Sequence, residues 1–190
     1  MRYLQINKGG IMTKVLVFIL IFLISCSKRS TADLSFIESS DISKLETYLD
    51  EGGDINVVVN DDGDSLLIYA IRYEKHDMVE YLLNHNADIK FQNLYGANAF
   101  LTSIITRNFR VFESMKKRGL IDTRTQVFGG LTVLHLAVST DQIEIVKSIL
   151  EVESSLINIR SDEGITALML SVKQVKNGPP VNFEIVKMLL

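Results

Sequence analysis

Gly130-Leu131-Thr132-Val133-Leu134-His135-Leu136-Ala137 has three fainter copies in the same chain, at residues 63–70, 96–103 and 164–171. The glycines that open the copies are 33, 34 and 34 residues apart. A fixed period of this size marks a stacked-repeat architecture, in which each unit buries its apolar face against the next. A chain of 190 residues has room for about five such units.

Between the copies the apolar residues recur at helical spacing. In the second unit Leu66, Leu67 and Ala70 predict one short helix, and Met78, Val79, Leu82 and Leu83 a second, closed near Asn86. Val111, Phe112 and Met115 mark the matching helix of the third unit, with Gly119 at its end, and residues 145–150 that of the fourth. Isolated helices of this length are unstable in water, where roughly 12–15 residues are needed, so each must bury its stripe on a neighbour. The first unit lacks the octapeptide but keeps Ile42, Leu45, Tyr48 and Leu49 in helical register, stopped by Gly52-Gly53. A few added residues around Glu153, Ser154 and Ser155 lengthen the fourth unit. The fifth carries an insertion around Lys173 to Pro180, after which Asn182 is placed to cap the last helix. That helix is expected to break off at Leu190, leaving the fifth unit incomplete.

The octapeptide resembles the G-x-T-P-L-H-x-A signature of the ankyrin repeat, and Asp54-Ile55-Asn56 after Gly53 resembles the ending of that repeat. The resemblance covers residues 34–190. It implies an all-α solenoid of about five stacked helix-turn-helix units, near 34–59, 60–92, 93–126, 127–160 and 161–190. It also implies that Thr132 and His135 hydrogen-bond to backbone at the start of a helix and to the neighbouring loop. Thr166 and Ser65 fit the threonine part. Ile68, Leu101 and Met169 stand where the histidine belongs and cannot replace it. Units two and three are therefore expected to rely on apolar packing, to have fewer polar ties between loops, and to be locally less rigid.

By the same resemblance, protein partners are met by the concave side, through the loop tips and the exposed faces of the first helices. The corresponding residues are Asp61, Asp62, Leu94, Tyr95, Phe128, Asp162 and Glu163, with Arg72 and Tyr73 extending the patch. Aromatic residues in the middle and charges at the rim suit a protein-binding surface. The alternative is that Tyr95 and Phe128 pack down on adjacent loops.

The N-terminus reads as an address. Residues 15–24 form an unbroken apolar run of ten, preceded by Lys14. A spanning helix needs roughly 20 apolar residues, so the run fits a signal-peptide core. Leu23-Ile24-Ser25-Cys26 resembles the lipobox of bacterial lipoproteins. That resemblance implies removal of residues 1–25 and diacylglycerylation of Cys26, with residues 26–33 as a polar tether. Fully extended, the seven residues after the cysteine reach roughly 25 Å. Two or more acyl chains anchor a protein stably, which places the chain in the cell envelope, on the extracytoplasmic side of a membrane. An uncleaved signal anchor, or a chance cysteine beside a hydrophobic stretch, is the alternative.

Nothing in the sequence supports catalysis. His76, His85 and His135 lie in separate units and none has a second His or Cys at metal-ligand spacing, so no metal site is expected. Cys26 is the single cysteine. Gly129-Gly130 lacks the Lys-Ser/Thr of a phosphate-binding loop, and no cofactor is expected. Without residues 1–25 the formal charge moves from −3 to −6, which disfavours nucleic acid as a partner. These readings point to a membrane-tethered, extracytoplasmic protein-interaction scaffold with no small-molecule substrate. The competing reading is a secreted or surface-exposed effector that binds a host protein.

Overall fold

The computed structural model describes residues 35–123, 125–127, 129–172 and 181–190. The expected signal segment, Cys26 with the expected tether, Phe128, and the 173–180 insertion lie outside the described residues. Five helix pairs follow one another: α1 (Ser35–Glu38) with α2 (Ile42–Asp50), α3 (Leu66–Arg72) with α4 (His76–Asn84), and α5 (Ala99–Ile105) with α6 (Phe109–Lys117). After them come α7 (Val133–Ser139) with α8 (Ile143–Val152), and α9 (Ala167–Val172) with α10 (Phe183–Leu189). The residues added to the fourth unit form a 3-10 helix, Ser154–Asn158. First helices stack on first helices, α3 to α5 to α7 to α9. Second helices form another row, in which α4 packs on α2 and α6, and α10 on α8. The fold is the expected all-α repeat stack, with hairpins joining its units. Among the described residues one ladder, β1 (Gln126–Val127) with β2 (Leu131–Thr132), is antiparallel and pairs Gln126 with Thr132 and Val127 with Leu131.

Three kinds of position turn the chain through left-handed backbone. At the hairpins these are Gly63, Gly96, Gly130 and Gly164, with φ between 69° and 77°. Each closes a β-turn by donating its N–H three residues back, to the carbonyls of Asn60, Asn93, Val127 and Ser161 at 2.8–3.1 Å. The second helices end on Gly52, Asn86 and Gly119, also at positive φ. The turn between the two helices of a unit uses Ser40, Glu74, Arg107 and Asp141, at φ 54–58° without a glycine among them.

Helix starts are fixed by side chains. Ser65 accepts from the Ile68 amide at 3.4 Å and Asn98 from the Leu101 amide at 2.9 Å. Asn182 caps α10 as its sequence position predicts, accepting from the Glu184 and Ile185 amides. The apolar interior runs through the middle of the stack, where Phe100 and Phe112 are fully buried with ring centroids 5.5 Å apart. No helix among the described residues is long and apolar enough to cross a membrane.

Candidate protein-binding surface at the hairpin tips

Adjacent tips are joined through their backbones. The Leu94 amide donates to the Asp62 carbonyl at 3.0 Å, and the Asp162 amide to the Gly129 carbonyl at 2.9 Å. Such close approach leaves no room for side chains on the glycines. A Cβ on Gly63 would sit 3.0 Å from Leu94 Cγ, and one on Gly130 would sit 3.0 Å from the Asp162 backbone nitrogen and against its carboxylate.

Behind the first of these junctions lies a buried polar cluster. Arg72 donates from Nη2 to Asp64 Oδ1 at 2.9 Å and from Nη1 to Asp62 Oδ2 at 3.2 Å. The Asp64 side chain is fully buried and that of Arg72 is 2% exposed. Asn93, one unit on, donates to Asp64 Oδ1 at 2.8 Å, and Asn60 donates to Asp64 Oδ2 at 2.9 Å. The Tyr95 hydroxyl donates to Asp62 Oδ1 at 3.1 Å. Asn93 Oδ1 in turn accepts from the Tyr95 and Ala97 amides, both at 3.0 Å. A buried pair of charges survives only when hydrogen bonds replace its lost hydration, and residues of two units supply acceptors to both terminal nitrogens of Arg72 and donors to both oxygens of Asp64.

This corrects two sequence expectations. Units two and three do not lack polar ties: the bonds that histidine would have made are replaced by Asp64–Asn93 and Asp62–Tyr95, and by Asn98 Nδ2 donating to Thr125 Oγ1 at 3.1 Å. Arg72, expected at the edge of an exposed patch, is enclosed by its two aspartates and is not presented to a partner. The Asp62 carboxylate also ties back the Tyr95 hydroxyl, and Tyr95 is half-buried against the neighbouring tip, the packed of the two alternatives for that residue.

The fourth unit keeps the histidine. The Thr132 amide donates to His135 Nδ1 at 3.2 Å, which makes Nε2 the protonated nitrogen and the donor to the Ile165 carbonyl at 2.9 Å. Burial of the ring pushes its pKa below the ordinary 6.5, against the contrary pull of the Ile165 carbonyl. His135 thus works as a neutral tie between units four and five. His85 is exposed, its ring stacked on Tyr81 with centroids 4.0 Å apart. His76 is half-buried at the start of α4.

Of the expected patch, Asp61, Leu94, Asp162 and Glu163 are exposed, Leu94 by 77%. The structure brings Asp62, Arg72, Leu94 and Tyr95 together in the junction of units two and three. Asp162 and Glu163 belong to the last tip, joined to Gly129 instead. Tyr73 is half-buried, its ring centroid 4.3 Å from that of Tyr69. Sequence reading missed Asn60, Asp64, Asn93 and Asn98. Their signal was register: Asn60 and Asn93 are one period apart at the base of consecutive hairpins, and Asn98 shares the cap column with Ser65, Thr132 and Thr166.

The surface offers carboxylates, one large aliphatic side chain and backbone edges. Among the described residues no cluster of His, Cys, Asp and Glu could hold a metal ion. The family model for ankyrin repeats (3 copies) matches residues 36–120 and again 113–190. A putative ankyrin repeat protein of Fowlpox virus (strain NVSL) is 32% identical over 113 residues, 58% of this chain and 33% of that protein. Alpha-latrocrustotoxin-Lt1a of Latrodectus tredecimguttatus is 24% identical over 149 residues, 76% of this chain and 10% of that protein. The chain therefore spans a third of the first relative and a tenth of the second. With the period, the paired helices and the hairpin glycines in agreement with the match, the chain belongs to the ankyrin repeat family, whose arrays are protein-interaction scaffolds, typically without catalysis of their own.

Proposed function

We propose that the chain is a membrane-tethered, extracytoplasmic scaffold that holds another protein on the hairpin-tip side of its stack. The observation that carries this reading is Leu94, a leucine 77% exposed on a tip that is fastened at its base by backbone and buried ionic bonds. An apolar residue held outward on a rigid support, with Asp61 on the neighbouring tip, is suited to act as an interface anchor. The tether rests on the sequence alone, on the lipobox-like ending at Cys26.

The test has two arms. The protein is purified from its native envelope with what it retains, and the affinity for the retained protein is measured for wild type and Leu94→Asp. The variant should bind roughly tenfold or more weakly, as expected for loss of an anchor; equal affinity discards the tip surface. Metabolic labelling with an alkyne fatty acid should mark the wild type and not Cys26→Ser. Label persisting in the variant removes the tether. Protease added to intact cells then separates inward from outward display.

A further inference from the structure

The charge of the chain reverses sign at unit three. Residues 34–92 contain thirteen acidic and four basic residues. Residues 93–126 contain Arg107, Arg110, Lys116, Lys117, Arg118 and Arg124 against Glu113 and Asp122. The fold does not require this. The buried stripe of α6 is Val111, Phe112 and Met115, and the basic residues lie outside it. At matched positions one period away the neighbouring second helices carry acidic or neutral residues: Arg110 corresponds to Asp77 and Glu144, and Lys117 to the neutral Asn84 and to Glu151.

Some of these cations already serve the stack. Arg118 is bonded to Glu80 and Asn84, both at 2.8 Å, and Lys116 to Ser148 at 2.9 Å and Glu151 at 3.2 Å. Arg110 and Lys117 are exposed, and no carboxylate among the described residues comes within salt-bridge distance of either. Together with Arg118 they border an open depression of about 540 Å³ between α4 and α6, whose apolar wall is Phe109 and whose lining includes the carboxylates of Glu80 and Glu113. The Phe109 ring is 43% exposed and stands stacked on Phe112, centroids 6.3 Å apart, so its outward position is braced by the core. A fixed aromatic ring beside two solvent-facing cations combines an apolar anchor with electrostatic steering.

From this we infer that the outer face of unit three is a second docking surface, whose occupant is an acidic segment of a protein with an apolar side chain to set on Phe109. The choice of a protein segment follows from what flanks the basic strip. Asp77 and Glu80 on α4 and Glu144 and Glu151 on α8 border it on both sides. A flat anionic membrane or a nucleic-acid backbone would bring these carboxylates against its own phosphates. A narrow chain can lie along α6 clear of Asp77, Glu144 and Glu151, meeting Glu113 within the strip and Glu80, whose charge is already paired with Arg118. The surface belongs to the row of second helices, and its validity does not depend on the tip surface or on the tether.

A fluorescein-labelled peptide of repeating Glu-Leu-Glu is titrated with the full chain in nonionic micelles and followed by anisotropy. The wild type should bind in a salt-sensitive manner, since exposed charges are screened within about 10 Å at 0.1 M salt. Arg110→Glu combined with Lys117→Glu should weaken binding roughly tenfold or more, and Phe109→Ser should weaken it less but measurably. Lys44→Glu combined with Lys147→Glu, which changes net charge equally on other helices, should leave it unaltered. Far-UV circular dichroism confirms that each variant is folded. Equal binding by the Arg110/Lys117 variant, or equal weakening by the control pair, overturns the proposal. Retention on immobilised phosphatidylglycerol that depends on Arg110 and Lys117, with no binding of the peptide, overturns it too and assigns the face to lipid.

Discussion

Both oxygens of the Asp64 carboxylate are occupied, Oδ1 by Arg72 and Asn93 and Oδ2 by Asn60. Asp64→Ala would leave Arg72 enclosed with Asp62 as its remaining carboxylate, and Asn60 and Asn93 without their acceptor. Breaking one side of a buried ion pair destabilises by about 3–5 kcal/mol, and urea denaturation should show a loss of that order. Glu74 is the opposite case. It holds φ at 56° on an exposed turn, a conformation that strains residues with a Cβ. Glu74→Gly should stabilise by about 0.5–1 kcal/mol, the relief of strain being partly offset by the entropy glycine adds to the unfolded chain. Arg107 and Asp141, in the same turn of later units, should gain less, because their side chains bond to Thr140 and Asn182. His135 carries a pH dependence. Its folded pKa lies below 6.5, so as pH falls under 6.5 the unfolded chain takes the proton first and stability declines. Protonating Nδ1 would also set it against the Thr132 amide that it accepts from. The stability advantage of wild type over His135→Gln should shrink between about pH 7.5 and about pH 5.5. An advantage that stays constant over that range removes the assignment.

At the scale of elements, the hairpin glycines have two separable duties. Gly96 and Gly130 share the left-handed turn, at φ 75° and 69°, yet a Cβ on Gly96 meets open space and one on Gly130 meets the Asp162 backbone. Gly96→Ala should therefore lose only the conformational term, about 1–2 kcal/mol. Gly130→Ala should lose more, because the tip of unit five must move away and strain its bond to the Gly129 carbonyl. Thermal melts of the two variants side by side decide it; equal losses would mean that the tips are not held in contact. Helix pairs, their ends and the lengthening of the fourth unit were legible in the sequence because apolar spacing, caps and glycines are local signals, whereas the 3-10 form of the added residues was not. The caps at Ser65 and Asn182 and the left-handed Gly52, Asn86 and Gly119 are cases in point. The cluster around Asp64 was not legible. It joins residues 29 positions apart, Asp64 and Asn93, and no local pattern reports a partner one unit away. Arg72 misled for the same reason: a basic residue at a helix end reads as exposed until its two aspartates are located in space.

For the molecule as a whole, stability in a repeat stack is distributed along the chain, each unit contributing its own packing and the interfaces with its neighbours. Here that distribution is uneven. Unit one contributes Ile37, Leu45 and Val59 to the fully buried interior, and its first helix, α1, has four residues. Unit three contributes Phe100, Leu101, Ile104, Val111, Phe112 and Met115, among others. The side-chain ties follow the same gradient. Unit one is joined to unit two by Lys75 Nζ donating to the Glu38 carbonyl and by Asn56 accepting from the Asp88 amide, both in exposed surroundings. Units two and three share the buried Asp64 cluster, and units three and four are linked by Gln142 donating to the Ile104 carbonyl at 2.7 Å. Local opening free energies range from near zero to the global value, and few buried contacts with exposed hydrogen bonds mark the low end. In native-state hydrogen exchange the amides of α2 should open at a lower free energy than those of α3, α5 and α7, which should exchange together near the global limit. The Asp64→Ala variant should then split that group, lowering α3 and α5 while α7 retains its protection relative to the new global limit. If α2 is protected as strongly as α5, stability is shared evenly along the stack and the buried cluster does not couple units two and three.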